Sequence, residues 1–252
     1  MIVDAHAHVS DTEYGNARLL IGRMDEAGVD RAIVVPGGTV DVRQMSQFVS
    51  GELKAPARPI PNHLVYQAIA DYPQRLVGFC SFNPLERDEA YQIFETALAR
   101  GCAGVKLNPI AFRFAFAGEV LDDIAELCGK RGIPIYSHVV FDPGANTLKY
   151  GSFARRHPRT NFILGHMGFG SCDGNAFKLA SELPNFYLET SLANHMSISE
   201  AIRIAGDDKL VFGSEFPMSY AKIQLFQIRE FPAKSQAKIL SENIRRIVPA
   251  LA

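Results

Sequence analysis

Eight short runs of apolar, β-branched and aromatic residues alternate with stretches of helical spacing along this chain. That rhythm limits the fold more than any other feature. A strand opening at Ile2 and Val3 is followed by predicted strands over 29–35, 76–82, 103–107, 133–137, 162–164, 186–189 and 210–212. Helical stretches stand between them at 17–27, 62–71, 87–99, 120–130, 148–156, 177–182 and 198–205, and the remainder through Ile247 is helical with a break around Phe231-Pro232. A long segment carrying Pro56, Pro59 and Pro61 reads as an extended loop with a short helix over 42–49. Gly28 and Gly132 fall where a left-handed residue would end a helix. The strands are mostly apolar rather than alternating, as expected when both faces are covered. Strand–helix alternation gives parallel strands with right-handed crossovers. Eight such units in 252 residues predict a single (β/α)8 barrel and one domain over 1–252. No glycine-rich dinucleotide fingerprint follows the first strand, which counts against an open doubly wound sheet.

Composition narrows the function classes. A formal net charge of −1 offers no electrostatic pull toward nucleic acid or an anionic membrane, so neither is expected as a partner. No apolar run approaches the roughly 20 residues that cross a bilayer, and the first residues lack the order of a secretory leader. Cys80, Cys102, Cys128 and Cys172 lie far apart with no C-x-x-C pair, which predicts buried free thiols in a reducing cytoplasm. No seam marks a partner surface, so a homo-oligomer stays open.

The chemistry of a parallel barrel belongs at the C-terminal ends of its strands. His6 and His8 end the first strand on alternate positions, so both imidazoles leave it together. Lys106 ends the fourth strand, His138 the fifth, His166 the sixth and Glu215 the eighth, with Asn83 and Glu189 at or near the same rim. Random placement of seven histidines would rarely put four at strand ends. Neutral imidazoles converging there suit a divalent metal such as zinc.

The segments Asp-Ala-His-Ala-His, Ile-Tyr-Ser-His, Ile-Leu-Gly-His-Met-Gly and Val-Phe-Gly-Ser-Glu-Phe-Pro occur in that order. They resemble the motifs of the amidohydrolase superfamily, most of all the amidohydrolase-related branch of lactonases, aromatic-acid decarboxylases and hydratases. The resemblance implies a distorted barrel holding one or two divalent metals, with His6, His8 and His138 as ligands. His166 would be a further ligand or a hydrogen-bonding group beside the activated water. The chain departs at Glu215, where the family usually carries Asp in its Gly-Ser/Thr-Asp-x-Pro motif. There the carboxylate touches the metal and takes the proton of the attacking water, and Glu keeps that chemistry while adding a methylene. The implied activity is hydrolysis of a small carbonyl compound, with non-oxidative decarboxylation of an aromatic or dienoic acid as the alternative. A repurposed, non-catalytic metal barrel is the third reading, because of Glu215.

Lys106 has three readings: a carboxylated bridge between two metals, as in some branches of the superfamily, an ammonium for an acidic substrate group, or a salt bridge to Glu189 or Glu215. Asn108, Arg58 and His195 are the candidate substrate contacts. Arg58, with Arg43, lies in the long second loop over the barrel mouth, where a guanidinium can grip a carboxylate or stay solvated. Asp4 reads as a partner of a ligand histidine or as a structural carboxylate. Phe112, Phe114 and Phe116 read as a pocket wall or as loop packing. His157, in the turn entering the sixth strand, belongs to the opposite face.

Overall fold

A computed structural model describes residues 1–54, 59–170 and 172–252. Eight strands follow one another in chain order around one sheet: β1 (Val3–Val9), β2 (Arg31–Pro36), β3 (Leu76–Ser81), β4 (Gly104–Leu107), β5 (Ile135–Ser137), β6 (Phe162–Leu164), β7 (Phe186–Glu189) and β8 (Leu210–Val211). Every neighbouring pair is parallel. The ring closes where β1 meets the chain after β8: Ala5 N donates to Phe212 O at 2.8 Å, Glu215 N to His6 O at 2.9 Å and His8 N to Phe216 O at 2.8 Å. This is the (β/α)8 barrel that the alternation predicts.

The helices form where local chemistry starts and stops them. Asn16, Asn146 and Asn194 each accept a backbone N–H of the first turn of the helices Ala17–Ala27, Thr147–Arg156 and His195–Ala205. Gly28 and Gly132 end their helices in the left-handed region, as the sequence indicates. A one-turn helix over Pro109–Phe112, capped by Asn108, was not expected; its first-position proline suits the start of a helix.

Core residues divide by strand parity. Ala32 and Val34 of β2 pack outward under the helices with Leu20, Phe94 and Phe153. Ile33 and Val35 pack inside the barrel with Val3, Ala5, Val77, Phe79 and Ile163. Strict alternation along β1 would then send His6 and His8 outward. The register slips by one residue between Asp4 and Ala7, which reverses the parity. Ala7 and Val9 thereby join the outer core, and His6 and His8 turn inward above Ala5. Cys80, Cys102 and Cys128 are buried free thiols, whereas Cys172 is exposed, its Sγ 3.3 Å from Ser197 Oγ. No helix among the described residues is long and apolar enough to cross a membrane.

Candidate metal centre

Above the apolar inner layer lies a chain of buried polar side chains. Lys106 Nζ is 3.0 Å from His6 Nε2, and Tyr136 Oη is 2.7 Å from His6 Nδ1. The Tyr136 hydroxyl donates to Glu189 Oε2 at 2.7 Å, so its oxygen is left to accept from His6. Glu189 also accepts from Ser191 Oγ at 2.8 Å and from His166 N at 3.2 Å. Burial opposes the charge on Glu189, yet His6, His166 and the Tyr136 hydroxyl outweigh it and hold its carboxyl down at about 2. Burial brings the Lys106 ammonium down to about 7 despite Glu215 and Glu189 nearby. Lys106 sits beneath the site, buried over the Tyr136 ring at 3.9 Å. It does not line the cavity, and among the described residues it forms no direct ion pair with Glu189 or Glu215.

Glu215 stands at the centre. One carboxylate oxygen lies 2.6 Å from His6 Nδ1 and 3.9 Å from His166 Nε2, and the other 3.5 Å from His8 Nε2. Burial works against its ionisation, but His6, His166 and His8 prevail and keep the carboxyl well below the ordinary range. Oε2 is buried and receives no well-directed hydrogen bond. Glu215 and His166 both hold left-handed backbone, at φ 61° and 58°, a conformation that β-carbons resist and that clusters at functional sites.

Hydrogen bonding fixes the tautomers of two histidines. The Pro36 carbonyl, 3.2 Å from His8 Nδ1, can only accept, so that nitrogen carries the proton and Nε2 presents its lone pair. Ser191 gives its proton to Glu189 and so accepts from His166 Nδ1 at 2.9 Å, which frees Nε2 of His166 likewise. His138 Nε2 is buried without a partner among the described residues. Burial lowers the pKa of all three rings and keeps them neutral near pH 7. Neutral imidazoles with the second nitrogen anchored are what a divalent cation requires.

Two sets have their ligand atoms within 4.8 Å of one another: His6, His8 and Glu215, and His6, His166 and Glu189. The donor set and the orphaned His138 and Glu215 atoms fit a bound cation. His6 belongs to both sets, but Lys106 holds one of its nitrogens and Tyr136 with Glu215 the other, so it ligates only by giving up a contact. His138 lies outside both sets, its ring centroid 6.4 Å from that of His166.

The other expected residues fall in several places. Asn108 lines the cavity over the site, its Oδ1 held by Ala111 N at 3.1 Å. His195 does not line it: the ring stacks on Phe231 with centroids 4.8 Å apart, because it opens a helix facing the C-terminal segment. Arg58 lies outside the described residues. Arg43 grips Asp41 with two nitrogens in the exposed loop. Asn83 is spent on Leu85 N and Glu86. Asp4 Oδ1 accepts from His6 N and Ser214 N and ties β1 to the end of β8, with burial raising its pKa to about 7. Phe114 and Phe116 pack into the outer core beneath the helices. His157 pairs with Asp122 at 2.7 Å. Tyr136 and Ser191 carry the buried network and were missed. In sequence they are an ordinary strand aromatic and a loop serine, and only the proximity of Glu189 gives them a role.

A family model described as Amidohydrolase matches residues 3–250. No curated protein matches the chain. Solved structures share its shape at low identity. A 4-oxalomesaconate hydratase from Rhodopseudomonas palustris has 17% identity and TM-score 0.70, with 100% of this chain and 96% of that one covered. A dihydroxybenzoic acid decarboxylase from Polaromonas with bound manganese and 2-nitroresorcinol has 16% and 0.68, with coverage of 98% and 96%. A probable 2-pyrone-4,6-dicarboxylic acid hydrolase from Acinetobacter baumannii has 17% and 0.67, with 98% of both chains covered. A match over almost the full length, on a barrel whose strand ends gather imidazoles around a carboxylate, settles the assignment: this chain belongs to the amidohydrolase family.

Proposed function

We propose that the chain is a metal-dependent hydrolase of a small carbonyl compound of lactone, ester or amide type. The observation that carries this reading is the Glu215 carboxylate, held ionised among three imidazoles at the cavity floor, with His6 on one oxygen and His8 near the other. His6, His8 and Glu215, with His138, would hold the cation, zinc being the expected metal; the second set is closed by the hydrogen bonds that Tyr136, Ser191 and His166 N make to Glu189. When bound, such a cation supplies Lewis acidity that brings the pKa of water from about 15.7 toward 7. Glu215 takes the proton of the attacking water on its carboxylate and returns it to the leaving group. His166 turns its Nε2 lone pair into the cavity and orients that water. The Asn108 amide, its oxygen already engaged, has an N–H left for the substrate carbonyl. The free thiols support a cytoplasmic setting.

Decarboxylation of an aromatic acid is the second reading, favoured by the apolar cavity walls, which suit a ring. One structural neighbour is named as a dihydroxybenzoic acid decarboxylase. Turnover of lactone, ester and aromatic-acid panels with added zinc or manganese separates the two. Hydrolysis that falls at least about 100-fold in Glu215→Ala supports the proposal. Carbon dioxide release in place of hydrolysis transfers it to the second reading. Inactivity at full metal occupancy leaves a repurposed barrel. Elemental analysis is expected to give one equivalent, since Lys106 is committed to His6 and Tyr136 instead of bridging a second ion.

A further inference from the structure

The cavity over the strand ends encloses about 470 Å³, within the range of small-molecule pockets. Its ionisable groups at the strand ends, His8, His138, His166 and Glu215, form the floor. The walls rise from the loops and are apolar: Val40, Val42 and Met45 after β2, Ile110 after β4, Phe169 after β6 and Met218 after β8. Among the described residues, no lysine or arginine lines the cavity.

Among the described residues, Arg43, Lys106 and Arg113 are committed elsewhere. Arg43 grips Asp41 and packs over the Tyr14 ring at 5.1 Å, Lys106 lies under His6, and Arg113 donates to the Phe48 carbonyl at 3.3 Å. Of the wall's polar groups, Tyr14 gives its hydroxyl to Asp41, Ser10 pairs with Thr12 and Asn194 accepts from Ser197 N to cap its helix, which leaves the Asn108 amide and Thr39 as neutral contacts. An ionised group carried up between these walls would lose water and meet no countercharge among the described residues, a costly transfer.

We infer that the pocket takes a substrate with its reacting carbonyl or carboxyl at the strand-end groups and an otherwise uncharged aryl or alkyl body. It rejects substrates carrying a second ionised carboxylate. The inference rests on the proposed reaction only for which end of the substrate reacts.

The test is calorimetric titration of the full-length, metal-analysed protein with 4-tert-butylbenzoate and with terephthalate, which share a ring and one carboxylate. The monoacid is expected to bind at least about tenfold more tightly, since one unpaired charge exceeds the free energy of a tenfold step. Val42→Arg and Ile110→Arg, each at a half-buried wall position, should both narrow or invert that ratio by giving the second carboxylate a partner. Equal or tighter binding of terephthalate to the native chain overturns the inference. If that binding disappears in Arg58→Ala, the countercharge comes from Arg58. Failure of both probes to bind overturns it as well. The ratio is read without turnover, so the two claims fail separately. A chain that turns nothing over yet keeps the ratio sinks the proposed reaction alone, and one that readily hydrolyses dicarboxylates sinks this inference alone.

Discussion

Gly213 and Gly165 show how much of this site depends on side chains that are absent. A β-carbon on Gly213 would run into the Glu189 carboxylate, and one on Gly165 into the Tyr136 hydroxyl. Glu189 has no room to retreat, because Ser191, Tyr136 and His166 N fix it from three directions. The glycines in Gly-His and Gly-Ser-Glu are therefore part of the buried network as much as the residues that follow them. Gly213→Ala is expected to cost about 1–3 kcal/mol by overpacking, read as a lower denaturant midpoint, and to reduce turnover as Glu189 shifts. A fully stable, fully active alanine variant would show that Glu189 is free to move. The same residues mark what sequence could disclose. Histidines and Glu215 at strand ends stand out by type, whereas Tyr136 and Ser191 are ordinary by type and gain meaning only through contacts across the barrel. His195 has the right type and the right face, yet its ring packs on Phe231, a contact between segments that periodicity does not encode.

At the level of elements, the helices Ala17–Ala27, Asn62–Asp71 and Arg87–Ala99 and the strands β6 and β7 fall where their patterns put them, because caps and apolar runs are local signals. The β1 bulge was not legible. Alternation alone places both imidazoles on one side, and the slip that makes that side the interior depends on pairing with β2. The helices are also joined by charges that no pattern announces. Asp122, on the helix Glu119–Arg131, takes Arg156 at 2.8 Å and His157 at 2.7 Å from the end of Thr147–Arg156. Burial opposes ionisation of Asp122, but His157 and Arg156 outweigh it, so its folded pKa lies below the ordinary value. A depressed carboxyl pKa adds stability above its unfolded pKa, about 3.9, and loses that stability as pH falls through the folded value. Asp122→Asn should therefore destabilise at pH 7 by at most about 1 kcal/mol, given the partial exposure of the pair. The deficit should shrink steadily below about pH 4. Thermal melts of both proteins across pH 3–7 read it, and a deficit that grows on acidification would contradict the assignment.

Across the whole molecule the barrel interior is split into two jobs along its axis. The lower layers are apolar, and Ile244, Ile247, Val248 and Leu251 from the C-terminal segment pack against Val3, Ala5, Ile33 and Val211. The upper layer is the Lys106–His6–Tyr136–Glu189 network beneath Glu215. The lower layers hold no member of the candidate metal sets, so stability and chemistry should come apart under mutation. Ile247→Ala is expected to lose about 2–5 kcal/mol by leaving a cavity in the floor, while kcat/KM per folded molecule stays at the native value. Saturating metal should raise the unfolding free energy of native and Ile247→Ala proteins alike, by about 2.7 kcal/mol at a hundredfold excess over the dissociation constant. If the floor variant instead loses metal affinity in parallel with its stability, the layers are coupled, and the polar network is held in place by the packing beneath it.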